Sequence, residues 1–151
     1  MYTLARRMPL PHQRVGPDDA ARHAFVLHGI LGSKTNWRTL IRKVAAQLPG
    51  WAFVLPDLRN HGDAQGYAPP HTLDTVVDDL EALASTLHLR VDAVIGHSYG
   101  GKAALTWAHR HRDTLEHVIV VDANPGARPL RRGAEGTLRA VESLAALPRV
   151  W

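Results

Sequence analysis

The sequence predicts an α/β protein, a three-layer sandwich in which helices cover both faces of a mostly parallel sheet. Two observations carry this prediction. Short apolar runs typical of buried strands alternate along the chain with amphipathic segments of helical period. Each apolar run is followed within two residues by Gly, Pro or Asp, as strands of βαβ units are.

Four strands are expected, at residues 24–27, 52–55, 91–95 and 117–121. A helix is expected after each of the first three. Ser33 or Asn36 is the expected cap of the first helix, and Thr72 is the expected cap of the second. A last short helix is expected over residues 138–151. The residues before Ala24 carry a weaker signal, for one or two antiparallel edge strands.

Composition excludes several classes of protein. With 151 residues, 45% of them apolar and 21% charged, the chain is long and apolar enough for one domain with a core. It has no apolar run of the roughly 18 residues that span a membrane. The absence of cysteine excludes disulfides, thiolate zinc sites and a cysteine nucleophile, and it fits a cytoplasmic protein. The net charge of +4 comes from scattered arginines, so no nucleic-acid partner is expected.

One motif carries chemistry. Gly96-His97-Ser98-Tyr99-Gly100 matches Gly-x-Ser-x-Gly between a predicted strand and a predicted helix. Such a turn is so sharp that the serine is strained, and glycines are needed because side chains would collide with neighbouring elements. Ser98 is therefore the candidate nucleophile. His97 is expected to point away from it.

Acyl transfer also needs two preorganised N–H donors for the oxyanion. One is expected from Tyr99, the residue after the nucleophile. The other is expected from Ile30, which follows His28-Gly29 at the end of the first strand. We interpret His28 as a structural residue that braces this loop, and Asp57 as a bracing group of the next one.

The same segment has a rival interpretation. Residues 96–102 also spell Gly-x-x-x-x-Gly-Lys, the pattern of a phosphate-binding loop in a nucleotide-binding protein. Such a loop needs Ser or Thr after Lys102 to hold magnesium. Ala103 stands there and cannot ligate a metal. Nucleotide binding is therefore the less favoured hypothesis.

Three segments together resemble the α/β-hydrolase superfamily, especially its esterase-like branch of small abhydrolase-domain proteins: residues 28–37, 57–63 and 96–102. The resemblance covers about residues 9–125. It implies a sheet built up to about its sixth strand, a serine nucleophile at Ser98, hydrolysis of a carboxylic ester or thioester through an acyl-enzyme, and no metal or organic cofactor. The implied organisation is a core segment, 1–125, followed by a loop and the start of a cap helix, 126–151.

The catalytic base is missing from this arrangement. The family order is Ser, acid, His, but His109, His111 and His117 are the only histidines after Ser98. His109 is expected about 16 Å down the helix that Ser98 opens. Asp122 ends a strand beside Ser98 and is the candidate acid, although a structural role is an equal alternative.

We therefore expect an incomplete hydrolase whose histidine comes from a missing C-terminal half or a partner chain. The small-molecule substrate would be an acyl ester or thioester. A non-catalytic truncated or pseudo-hydrolase that serves as an interaction module is the main alternative.

Overall fold

The structure is a computed structural model that describes residues 9–124 and residue 126. The helix expected over residues 138–151 lies outside the described residues, as does all but residue 126 of the second predicted segment. The division at residue 125 therefore stays a prediction.

Within the described residues, five strands form one sheet in the order β1-β3-β2-β4-β5. They are β1 (His12–Val15), β2 (Arg22–Leu27), β3 (Trp51–Pro56), β4 (Ala93–His97) and β5 (His117–Val121). Only β1 is antiparallel, and it pairs with β3. The other pairs are parallel, as predicted. The part of the chain that is described thus shows five of the about six strands that the family resemblance implies.

Three helices connect the parallel strands: α1 (Arg38–Ala45), α2 (Leu73–Thr86) and α3 (Tyr99–Arg110). Thr72 caps α2 as predicted, because its hydroxyl accepts from the Thr75 N–H while Thr75 reaches back to the Thr72 N–H. The cap predicted for α1 is wrong. The N-cap residue is Trp37, which makes no side-chain hydrogen bond to the helix. Asn36 does not cap α1, because its amide oxygen accepts from the Ser33 N–H.

Two apolar layers confirm the sandwich. Alternate residues of β2 face opposite sides of the sheet, as the strand period requires. Phe25 and Leu27 pack in the layer that contains α2 and α3, while Ala24 and Val26 pack in the layer that contains Ile41 of α1. The carboxyl ends of the four parallel strands consequently meet at one edge of the sheet, where functional residues of such folds gather.

None of the described helices combines the length and the apolar character needed to cross a bilayer.

Strand β5 is an edge of the sheet among the described residues, and its side chains Val118, Ile119 and Val121 are exposed. Exposed apolar edges favour association between copies. We predict that Ile119→Lys lowers self-association in light scattering while changing the free energy of unfolding by no more than about 0.5 kcal/mol.

Leu48→Lys is the matched control, because Leu48 is similarly exposed (42% against 50% for Ile119) but lies beyond the end of α1. An equal fall in scattering for both variants would show that copies of the chain do not associate through β5 in particular.

Candidate active site

Ser98 is the single residue between β4 and α3. Its backbone has φ 51° and ψ −111°, so the predicted strain at this turn is confirmed. The Ser98 N–H donates to the Val121 carbonyl of β5 at 3.0 Å, which fixes the turn against the neighbouring strand. Within residues 9–124 no hydrogen bond occupies the Ser98 hydroxyl.

The glycines of the motif make this turn sterically possible. A Cβ on Gly96 would overlap the Gly100 carbonyl, and a Cβ on Gly100 would lie 2.5 Å from the His28 carbonyl oxygen and 2.6 Å from that of Leu27. All of these neighbours are backbone atoms, which cannot move aside as a flexible side chain can. Helix α3 therefore begins directly against β2 and β4.

The second predicted donor lies on a turn at residues 29–32, closed by a hydrogen bond from Gly32 N–H to the Gly29 carbonyl at 3.0 Å. A Cβ on Gly29 would lie 3.4 Å from Ser98 Cβ, so the turn abuts the serine. In the described chain, the backbone N–H groups of Ile30 and Tyr99 donate to no protein acceptor. Both groups are thus available to a ligand.

His28 lies fully buried beneath this turn. Its Nε2 accepts from the Leu58 N–H at 3.0 Å, so its Nδ1 carries the proton and donates to the Gly29 carbonyl at 2.8 Å. Burial lowers the pKa of His28, which keeps the ring neutral and this tautomer in place. The ring therefore joins the turn to the loop after β3.

Two open clefts meet at Ser98 and Ile30. One has a volume of about 520 Å³ and has apolar walls that include Leu31, Trp37 and Leu40. The other has a volume of about 490 Å³ and is lined also by Tyr99, Lys102, Asp122, Ala123 and Asn124. The serine therefore stands between a cleft lined by large apolar side chains, here called the apolar cleft, and one that also contains the charged side chains of Lys102 and Asp122.

Asp122 follows β5 at the edge where Ser98 follows β4, because His97 pairs with Val121 in the parallel register. His117 pairs with Ala93, at the opposite end of the same two strands. His109 lies in the last turn of α3, far from the N-terminus that Ser98 precedes. The predicted separation of these groups is confirmed.

All ten histidines of the sequence lie within residues 9–124, and none hydrogen-bonds Ser98. His97 lines the apolar cleft, with its ring against Gly29 and edge-on to Trp37 at 6.4 Å. His61 stacks on the Tyr99 ring at 6.0 Å, and its Nδ1 bonds the Arg59 carbonyl.

Within residues 9–124 no group of three His, Asp or Glu is placed to hold a metal.

The nucleotide-binding hypothesis meets a geometric obstacle. A phosphate-binding loop needs several residues between strand and helix, so that their N–H groups surround the phosphates. Here Ser98 alone separates β4 from α3, and Gly96 touches Gly100. No room remains to enclose a phosphate.

Comparison with known proteins decides the family. The sequence model for the alpha/beta hydrolase fold matches residues 25–144, which is most of the chain. The chain belongs to the α/β hydrolase fold family.

Its relatives include esterases and transferases. The chain is 35% identical to the sn-1-specific diacylglycerol lipase ABHD11 of Mus musculus, over 80% of its own length and 38% of the relative's. It is 33% identical to ethanol acetyltransferase 1 of Kluyveromyces marxianus, over 68% of its own length and 28% of the relative's. A solved marine microorganism esterase aligns with a TM-score of 0.80 and 25% identity, over 93% of this chain and 52% of that one. The chain thus spans about half or less of the length of these relatives.

In this α/β hydrolase, the loop after β3 is built around the buried carboxylate of Asp57. It accepts from the Lys34 backbone N–H and Nζ, each at 2.6 Å, and from the Asp63 N–H at 2.9 Å. Gly62 lies so close that a Cβ there would be 2.5 Å from the Asp57 oxygens. Asp57 thus braces this loop as predicted, whereas the role of Lys34 is not predicted by the sequence, because its carboxylate partners are 23 and 29 residues away.

The same loop contributes a buried ion pair that interacts electrostatically with Tyr99. Arg59 Nε donates to Asp79 Oδ2 of α2 at 2.7 Å, and Arg59 also donates to the Pro70 carbonyl. Burial raises the pKa of the Tyr99 phenol, so its hydroxyl stays neutral. Removing one partner of a buried ion pair leaves an uncompensated charge, so the loop and α2 depend on each other.

We predict that Gly100→Ala lowers the free energy of unfolding by about 2 kcal/mol or more, measured by urea denaturation. The overlap with two carbonyls outweighs the roughly 1 kcal/mol that alanine gains in a helix. Gly50→Ala is the control, because its Cβ would meet no atom within 4 Å. A Gly100→Ala protein as stable as the parent would contradict the close packing of Gly100 against the carbonyls of Leu27 and His28.

A second prediction concerns pH. Burial alone would raise the pKa of Asp57, but its hydrogen bonds from Lys34 and Asp63 outweigh burial and lower that pKa. A carboxyl whose pKa is lower in the folded state stabilises the fold above its unfolded pKa of about 4, and the stabilisation is lost as pH falls through the folded value.

The free energy of unfolding should therefore fall as the pH drops below about 5, and Asp57→Asn should flatten this dependence. Asp113→Asn, at an exposed carboxyl that forms no ion pair with another described residue, should leave the slope unchanged. The same slope in all three proteins would mean that Asp57 does not control acid stability.

Proposed function

We propose that Ser98 is the nucleophile of a serine hydrolase that cleaves carboxylic esters or thioesters through an acyl-enzyme. The observation that carries the proposal is the position of Ser98: a hydroxyl without a hydrogen bond in the described chain, on a strained single-residue turn where two clefts meet. The lipase and the esterase among the relatives support ester chemistry.

The proposed reaction begins when Ser98 Oγ attacks the carbonyl carbon and its proton passes to a base. The carbonyl oxygen becomes an oxyanion, which accepts hydrogen bonds from the Ile30 and Tyr99 N–H groups. The Tyr99 N–H also lies at the positive end of the α3 dipole. The alcohol or thiol leaves with a proton, and water then hydrolyses the acyl-serine. These steps use no metal or organic cofactor.

The two clefts suggest where the halves of the substrate bind. The apolar walls of Leu31, Trp37 and Leu40 suit an acyl chain, whose burial is favourable. The cleft with Lys102, Asp122 and Asn124 suits the more polar leaving group. We assign the acyl group to the first cleft and the leaving group to the second.

We propose that the base is a histidine from outside these 151 residues, supplied by further sequence or by a partner chain. Asp122 is the proposed acid that would orient it, because Asp122 and Ser98 line the same cleft. The absence of a histidine bonded to Ser98 in residues 9–124 also favours a second candidate function. The chain on its own would be a non-catalytic interaction module.

We also propose that residues 1–125 form the N-terminal part of the hydrolase core and that residues 126–151 form a loop and the start of a cap. The absence of cysteine supports the cytoplasm as the compartment, since disulfides form mainly in oxidising ones.

The test is labelling of the 151-residue chain with a fluorophosphonate, followed by mass spectrometry. Ser98 should be labelled slowly, because serine hydrolases without their base retain only about 10³ to 10⁴ over water. Ser98→Ala should abolish labelling, whereas Ser85→Ala, at an exposed serine of α2, should not.

Rapid, stoichiometric labelling of Ser98 would show that a base is already present. Labelling of a different residue, or none at all, would remove Ser98 as the nucleophile.

A further inference from the structure

The turn that presents the Ile30 N–H is held at both ends by two consecutive residues of another loop, Asp57 and Leu58. We propose that Lys34 and Asp57 are positioning residues that fix the Ile30 N–H for oxyanion binding. The inference rests on the proposed function, because it assigns these residues to the oxyanion site of that reaction.

Two sets of hydrogen bonds, here called clamps, hold the turn, and the first acts on Lys34, two residues after the turn. Lys34 reaches the Asp57 carboxylate with both its backbone N–H and its Nζ, and Nζ also pairs with Asp63. The Asp57 side chain is fully buried, while the Asp63 side chain is 77% exposed. Asp57 is thus the fixed point, and charge-assisted hydrogen bonds to it are stronger than neutral ones.

The second clamp acts on His28, the residue directly before the turn. His28 accepts from the Leu58 N–H and donates to the Gly29 carbonyl, which also accepts from Gly32. Asp57 and Leu58 therefore hold residues 28 and 34, one on each side of the turn.

The turn needs such clamps because it is strained. Leu31 has φ 61°, a left-handed conformation that costs a residue other than glycine of the order of 1–3 kcal/mol and persists only where its surroundings enforce it. The side chains of Ile30 and Leu31 are 57% and 61% exposed, so their own packing contributes little to holding the middle of the turn. The clamps at its two ends supply the restraint.

Lys34 is also occupied by these contacts. Burial alone would lower its pKa, but the carboxylates of Asp57 and Asp63 outweigh burial and raise that pKa, so the ammonium stays charged and paired. It does not line either cleft that reaches Ser98. Its effect on the reaction therefore passes through the turn, and a displacement of about 1 Å in such a donor can cost up to about 100-fold in rate.

The experiment measures amide hydrogen exchange by NMR in the 151-residue chain and in Lys34→Met, which keeps the apolar stem but loses the Nζ donors. Gly32 and Ser33 report on the turn, because their N–H groups bond the Gly29 carbonyl and the Asn36 side chain. Val94, in the centre of β4, reports on global unfolding. We expect exchange at Gly32 and Ser33 to rise about tenfold more than at Val94.

Two variants serve as controls. Lys34→Arg retains a cationic donor and should restore most of the protection. Lys43→Met removes an exposed lysine of α1 that makes no ion pair within the described residues, and it should change nothing. Equal rises at Gly32, Ser33 and Val94 would reveal a merely structural role and overturn the inference, as would no rise at all.

Fluorophosphonate labelling of Ser98 in the same proteins gives the second readout. Lys34→Met should lower the maximal labelling rate about tenfold without changing the reagent concentration that gives half of it, and Lys34→Arg should recover the rate. An unchanged rate despite a loosened turn would overturn the positioning role. If Ser98 is not labelled in any protein, the proposed function fails, while the exchange at Gly32 and Ser33 still decides whether the clamp exists.

Discussion

The backbone contact between β4 and α3 is the constraint on which the rest of the site depends. Gly96 meets the Gly100 carbonyl, and Gly100 lies against the carbonyls of Leu27 and His28, so the helix can start after one residue. That residue, Ser98, therefore belongs to neither β4 nor α3 and lies beside the turn of residues 29–32. With any larger residue at 96 or 100, helix and strands would separate and Ser98 would lose its place.

Buried polar groups then link this contact to the neighbouring strands. His28 joins the turn at residues 29–32 to Leu58, and Asp57 joins the far side of that turn to the same loop. Arg59 carries the connection on to Asp79 of α2. The side chains of His28, Asp57, Arg59 and Asp79 all have hydrogen-bond partners, as buried polar groups in a low-dielectric interior require. The loop after β3 therefore supports the site without lining the clefts at Ser98.

The sequence predicted what short-range patterns encode. Strands β2 and β3 were found because they are continuous apolar runs, and Ser98 because its motif follows one. β4 was placed two residues early, since Val91 and Asp92 are buried without belonging to the strand. The predicted cap of α1 is wrong because the Asn36 side chain accepts a hydrogen bond from the Ser33 N–H and not from the helix. Lys34 could not be recognised, because its role depends on carboxylates distant in sequence, and a lone lysine is usually a solvated surface charge.

The order of the strands has a consequence for folding during synthesis. After β3 joins β2, the sheet extends in one direction only, as β4 adds to β2 and β5 adds to β4. From β3 onward, each parallel strand thus meets a neighbour that has already been translated: β3 and β4 add to β2, and β5 adds to β4. The growing edge at β5 is also the one that brings Asp122 beside Ser98, so the site takes shape in the same N- to C-terminal direction as the chain.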